Sequence, residues 1–255
     1  MELWTPAHAR TLPATLAVMV LVALLLRKCL LNKPLKYRMI PVQILTVVML
    51  LLEAGKQIVS FSRGYDLYHI PLHYCSLFIF MLPLMAFYKG KHESEVRGVA
   101  AGLCAAVTAL MLIYPNLIYG AWDIENYFRE YMGFHTVTYH NIVIFVLLLT
   151  LALELHTPQT KKEPGTVILF MAGFCAVSAI AAQLLKTNYA NFYECNIPPC
   201  EGLRVQLQGV LGYVPTQILY ILAVSVLTIA FTYGAYWLYR WLRQLAVKNK
   251  KTPVC

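Results

Sequence analysis

The chain has 255 residues, 59% hydrophobic and 13% charged, with a formal net charge of +9. A soluble domain carries roughly 25% charged residues, so the composition excludes an ordinary soluble domain and places the chain in the membrane class. The positive charge does not point to a nucleic-acid partner: no RNA- or DNA-binding pattern is present, and the basic residues sit at the ends of apolar segments, as topology determinants do.

Seven apolar segments can be drawn, at about residues 12–31, 40–61, 70–88, 96–114, 137–155, 166–185 and 214–241. Each is close to the ~20 residues that cross a bilayer as a helix. The expected fold is all-α: a single domain, 1–255, forming a bundle of seven transmembrane helices. The first segment is short enough to resemble a signal-peptide core, but Arg27, Lys28 and Cys29 follow it rather than a small-residue cleavage site. It is expected to be a retained helix.

The second segment carries Glu53, Lys56, Gln57 and Ser60, which share one helical face by their spacing. An acid and a base one turn apart can neutralise each other and orient the helix, or can contact a substrate. The third segment opens with His69-Ile-Pro-Leu-His-Tyr-Cys75. Pro71 suits the first position of a helix, which would put Cys75 in the second turn. A thiol near a helix N-terminus with imidazole close by ionises more readily than a free cysteine. His73, two residues from Cys75, would face elsewhere on a regular helix and is assigned to the helix entrance or to a headgroup.

The loop at 116–136 mixes Trp122, Asp123, Glu125, Tyr127 and Phe128 and predicts a short interfacial helix. The fifth segment begins with His135, Tyr139, His140 and Asn141. His140 is the stronger partner for Cys75, since imidazole could accept the thiol proton as sulfur attacks a carbonyl and return it later. His135, nearer the interface, is expected to be solvated. Glu154 and His156, at the far end of the segment, are expected to snorkel to water. The sixth segment ends with Gln183, Lys186, Thr187, Asn188 and Tyr189. The following loop holds Cys195 and Cys200, which could be joined as a disulfide or stay free. The last segment starts with Gly212, Tyr213, Pro215 and Gln217 and ends in a collar of Tyr233, Tyr236, Trp237, Tyr239 and Trp241.

Basic residues crowd one set of connections: Arg27 to Arg38, Lys89 to Arg97, Lys161 and Lys162, and the tail with Arg240, Arg243, Lys248, Lys250 and Lys251. This bias predicts the N-terminus outside and the C-terminus inside, which needs an odd number of spans. Five helices would then contribute polar groups to the outer half of the bilayer, the pattern of a pocket open to the outer leaflet. Cys104 and Cys175 read as inert packing. No cysteine pair has zinc spacing with histidines nearby, and neither a metal nor a cofactor is expected.

Leu-His-Tyr-Cys at 72–75, with Phe80 and Leu82-Pro83, resembles the Leu-His-x-Cys signature of the YwaF-like integral membrane proteins and the transmembrane protein 164 group. Phe134 to His140, Thr187-Asn-Tyr189 and Gly212-Tyr-Val-Pro215 resemble further family motifs in the same order, and Glu53 and Gly64 match more loosely. Tyr139 and Asn141 depart from the small residues the family often has beside its histidine. The resemblance implies a lipid-acting acyltransferase or transacylase, with Cys75 as acyl acceptor and His140 as general base.

Substrate contacts are expected from His73, Glu53, Lys56 and Gln57, with Asn141, Asn188 and Gln217 able to polarise a carbonyl. The partner is then a membrane phospholipid or other acyl lipid, and the location the cell membrane. The alternatives are a non-catalytic transporter or lipid-binding protein lined by the same polar groups, and a structural subunit in which they hold helices together.

Overall fold

The computed structural model describes residues 2–158 and 161–251; Cys255 and the side chains of Lys248, Lys250 and Lys251 lie outside the described part. Its helices are α1 (Pro6–Leu30), α2 (Leu35–Arg38), α3 (Ile40–Ser62), α4 (Phe78–Phe87), α5 (Glu93–Ile113), α6 (Ala121–Glu125), α7 (Tyr131–Ala152), α8 (Glu163–Leu185), α9 (Pro198–Leu211) and α10 (Tyr213–Lys251). The fold is all-α. Among the described residues six stretches are long and apolar enough to span a membrane: α1, α2 with α3, α5, α7, α8 and α10.

The segment at 70–88 differs from expectation. Its helix is α4, preceded by a 3-10 turn at Cys75–Leu77. Together they form an apolar helix Cys75–Phe87, reaching about 20 Å against the ~30 Å of hydrocarbon. Pro71 does not start a helix. Ile70 before it is extended (ψ 132°), as a residue preceding proline prefers. The Leu72 carbonyl is taken by Ser178 Oγ at 3.0 Å, so no regular turn is built there. Cys75 consequently opens the 3-10 turn rather than lying in the second turn of an α-helix.

α1 begins at Pro6, before the apolar run at 12–31, because Thr5 caps it and Pro6 fills its first turn. The short helix expected at 116–136 is α6.

α5 is central, packing against α4, α7, α8 and α10. Its small residues permit close approach, as in many membrane helix contacts. A Cβ on Gly102 would lie 3.0 Å from Tyr236 Cβ of α10, and one on Gly98 would lie 3.2 Å from Glu163 Oε2 of α8.

The end of the bundle where α7 terminates is tied by arginines. The last carbonyls of a helix have no partner within it, and they carry the negative end of its dipole. Arg243 of α10 reaches Leu151 O, Arg27 of α1 reaches Ala152 O, Arg38 of α2 reaches Leu153 O, and Arg97 of α5 reaches Leu155 O. Residues that read as orientation signals thus also fasten four elements to the end of α7 and the turn that follows it.

The same end holds a buried polar cluster. His156 Nε2 lies 3.5 Å from Glu163 Oε2, Tyr236 donates to Oε2 at 2.9 Å, and Ser94 to Oε1 at 2.7 Å. His156 and Glu163 are 4% and 0% exposed, so His156 does not snorkel to water. The polar groups are therefore not confined to one half of the bundle: burial in a packed helix end forces acid, imidazole and phenol to satisfy one another.

Candidate functional site

At the opposite end, α3 presents Glu53 to the interior. Glu53 Oε1 is 2.8 Å from Lys56 Nζ and accepts from Gln57 Nε2 at 2.8 Å. Its Oε2 lies 3.3 Å from His135 Nε2 of α7. Helical spacing aligns Glu53, Lys56 and Gln57. A glycine lets α7 come close: a Cβ on Gly55 would fall 2.0 Å from the Tyr131 hydroxyl, which donates to Leu52 O at 2.7 Å.

The loop leading to Cys75 is held from several sides. Gln57 Nε2 also donates to His69 O at 2.9 Å, and Ser60 Oγ is 2.7 Å from His69 Nδ1. Tyr65 donates to Gln57 Oε1 at 3.0 Å, and Tyr189 donates to Leu67 O at 2.6 Å. The Tyr74 hydroxyl lies 2.8 Å from Thr232 Oγ1 of α10. His73 donates through Nε2 to Tyr68 O at 3.0 Å and packs on the rings of Tyr68 and Tyr189. Burial holds its imidazole below the ordinary range, so it stays a neutral donor to that carbonyl at physiological pH.

Tyr139 joins this network to Cys75. Its hydroxyl donates to Cys75 O at 3.1 Å. Its ring lies 5.3 Å from that of His135 and 5.6 Å from that of His140. Cys75 is half-buried, whereas Cys104 and Cys175 are buried, as packing residues are. Burial pushes the Cys75 thiol above the ordinary cysteine range, with the Lys56 charge opposing, so the readier ionisation expected of a thiol at a helix start is not found.

His140 is 5% exposed, and its Nδ1 is 2.7 Å from Thr136 O. A carbonyl can only accept, so Nδ1 carries a proton, and the neutral form of the ring has its lone pair on Nε2. Tyr119 lies 6.2 Å away between ring centroids; burial pushes its phenol up to about 12, leaving it a hydroxyl donor. Asn141 donates to Val137 O within α7 at 2.8 Å, and its Oδ1 is buried without a hydrogen-bond partner among the described residues.

The structure thus gathers Glu53, Lys56, Gln57 and His135 into one network, and Tyr139, packed on the His135 ring, donates to the Cys75 carbonyl; among the described residues no hydrogen bond joins the Cys75 thiol to His140. Asn188 and Gln217 serve a different region. Asn188 Oδ1 accepts from Tyr193 N and Glu194 N. Gln217 donates to Phe192 O and Tyr193 O at 3.1 Å each and accepts from Arg204. Both shape the 187–196 loop. Cys195 and Cys200 are free thiols.

His135 was expected in water but is 7% exposed, with the Glu53 carboxylate 3.3 Å from its Nε2 inside the bundle. Its four-residue spacing to Tyr139 was the available signal. A cavity of about 320 Å³ at this end opens between α1 and α6, lined by residues including Thr5, Arg10, Ile124 and Glu125. It lies apart from Cys75, whose polar neighbours are packed on one another. Among the described residues no group of histidine, cysteine and carboxylate side chains could hold a metal ion.

A bundle with six helices of spanning length and its ionisable groups turned inward defines a polytopic integral membrane protein. The chain matches the TMEM164 family over residues 3–243 and belongs to that family. No match was found among curated proteins or among solved structures.

Proposed function

We propose that this protein is a membrane enzyme that transfers an acyl chain between lipids through a thioester on Cys75. The observation that carries this reading is the His140 tautomer: Nδ1–H is committed to Thr136 O, which leaves Nε2 as the basic nitrogen. Tyr139, bonded to the Cys75 carbonyl and packed on His140, supports the pairing of the two elements.

In this reading the Cys75 sulfur attacks the ester carbonyl of a phospholipid as its proton passes to His140 Nε2. The ester C–O bond breaks, and the departing lysolipid oxygen takes the proton back. A second lipid hydroxyl then gives its proton to Nε2, attacks the thioester carbonyl and releases the thiolate, which recovers that proton. Asn141, which follows His140 in α7, and the Tyr119 hydroxyl are assigned to orient the substrate. Gln57 and His73 hold the loop that carries Cys75, with Glu53 and Lys56 bracing Gln57, and Asn188 and Gln217 hold the neighbouring loop.

The Glu53 end is assigned to the outer face of the cell membrane, because the arginine-rich end matches the cytoplasmic side. Transport is disfavoured by the layer between the two polar ends, where Met81, Leu82, Leu103, Val107, Val143 and Val146 are buried. A polar solute would have to cross it.

The test is acyl exchange by the full-length protein in bilayers containing a diacyl phospholipid and an isotopically labelled lysophospholipid, read by mass spectrometry. The expectation is that Cys75→Ala abolishes exchange and His140→Gln lowers it by about 10²-fold or more. Unchanged exchange in both Cys75→Ala and Cys75→Ser would remove Cys75 from the mechanism.

A further inference from the structure

α9 has no buried residue along its 14 residues, although it is an ordered helix on the Glu53 end of the bundle. Of its five leucine and valine side chains, four lie on one face and only Val205 lies off it. Leu203, Leu207, Val210 and Leu211 follow the i, i+4, i+7, i+8 spacing of one helical face, and all four are exposed, Val210 at 82%. The adjoining face is polar and turned to the protein. Glu201 accepts from Arg204 at 2.8 and 2.5 Å and from Cys195 N at 2.9 Å. Arg204 also reaches Gln217 at 3.1 Å and lies over the ring of Tyr220. Gln206, Gly202 and Gly209 occupy the remaining face together with the exposed Val205.

These contacts set the depth of α9. Gly212, at φ +84°, turns the chain so that α9 folds back beside the first turns of α10. The apolar stretch of α10, Tyr213–Ala246, has 34 residues. At 1.5 Å per residue that is about 50 Å, longer than the ~30 Å of hydrocarbon. Arg243 fastens the far end of α10 to the terminus of α7, so the excess length near Tyr213 rises into the headgroup layer. α9 is anchored there. Below it Ile218, Leu219 and Leu222 of α10 are exposed and face lipid, and the apolar stripe of α9 continues that surface.

We propose that α9 is an interfacial helix whose Leu203, Leu207, Val210 and Leu211 insert into the bilayer at the headgroup–acyl boundary, while Glu201 and Arg204 clamp it to α10. The partner is the lipid surface itself. An amphipathic helix held at that depth buries its apolar face by a few ångströms while its polar face stays wet or bonded to protein. The inference concerns placement in the membrane and does not depend on the catalytic reading.

The test uses the full chain in phosphatidylcholine–phosphatidylglycerol vesicles, with Cys29, Cys195, Cys200 and Cys255 replaced by serine. Nitroxides are attached at Leu203→Cys, Leu207→Cys, Val210→Cys and Leu211→Cys, with Gln206→Cys and Gly209→Cys as controls; a Cβ at Gly209 meets nothing within 4 Å. The expected result is preferential collision with oxygen at the first four sites and with a polar nickel chelate at the two controls. Nickel access at all six sites places the stripe in water and overturns the proposal. Exclusion of both reagents from the stripe means that protein, such as a second copy of this chain, covers it, and overturns the proposal equally.

Discussion

Glu53 shows how a charge is tolerated inside this bundle. Lys56, Gln57 and His135 all surround one carboxylate whose side chain is only 10% exposed. Removing one member of a buried pair strands the other, at a cost of about 3–5 kcal/mol. Glu53→Gln is therefore expected to lower unfolding stability by about that much. Lys56→Met added to it should recover part of the loss, because the stranded ammonium is gone. Thermal unfolding of the single and double variants in the same detergent checks this, and additive losses would contradict the pairing. At this scale the sequence announced the pair through its i to i+3 spacing. It did not announce His135, since a histidine near a helix start looks solvated until a distant helix is known to bring it a carboxylate. Nor did it announce the bond from Tyr139 to the Cys75 carbonyl, because a phenol's partner across two helices leaves no local pattern.

Elements in this protein are placed by small contacts that permit close packing. A Cβ on Gly102 meets the Cβ of Tyr236 at 3.0 Å, an atom next to the α10 backbone that cannot swing aside. Gly102→Ala should destabilise the α5–α10 contact despite the gain of up to ~1 kcal/mol in helix propensity. Gly173→Ala, where nothing lies within 4 Å, should not, and paired unfolding curves distinguish the two. α9 carries a pH prediction. The hydrogen bonds from Arg204 hold Glu201 below the usual carboxylate range. A depressed folded-state value means the stabilisation is present above the ordinary unfolded value and fades as pH falls through the depressed one. A nitroxide at Gln206→Cys should therefore show constant mobility from neutral pH down to the ordinary carboxylate range and rising mobility below it. A flat profile to the lowest pH at which the bundle stays folded would contradict the clamp. Long apolar helices such as α5, α7 and α8 were legible because twenty apolar residues have few other uses. α9 was not, because its stripe is only four residues and the loop around it is rich in proline, asparagine and cysteine. The segment at 70–88 was read as helical from its start because hydropathy does not register that Ile70 and Leu72 are committed to non-helical geometry.

Across the whole molecule the two ends differ in chemistry, and that difference is the basis of the proposed orientation. Cys29 is exposed at the end of α1 near Arg27, and Cys200 is exposed on α9 at the opposite end. In intact cells a membrane-impermeant maleimide should modify Cys200 and spare Cys29, with Cys29 labelled only after permeabilisation, as peptide mass spectrometry would report. The reverse pattern would invert the topology. The sequence conveyed the basic bias that underlies this proposal, but not that Arg27, Arg38, Arg97 and Arg243 converge on carbonyls at and just beyond the end of α7, nor that Glu163 and His156 form a second buried cluster beside them. Such convergence depends on helix packing, which a linear hydropathy pattern does not encode. The account as a whole turns on covalent chemistry at one sulfur. The most direct measurement is the intact mass of the protein after brief incubation with phospholipid and no acyl acceptor. The expected result is one added acyl group on Cys75, removed by neutral hydroxylamine, diminished in His140→Gln and missing in Cys75→Ala. An unmodified mass in the native chain while lipid exchange proceeds, or an adduct that persists in Cys75→Ala, would contradict it.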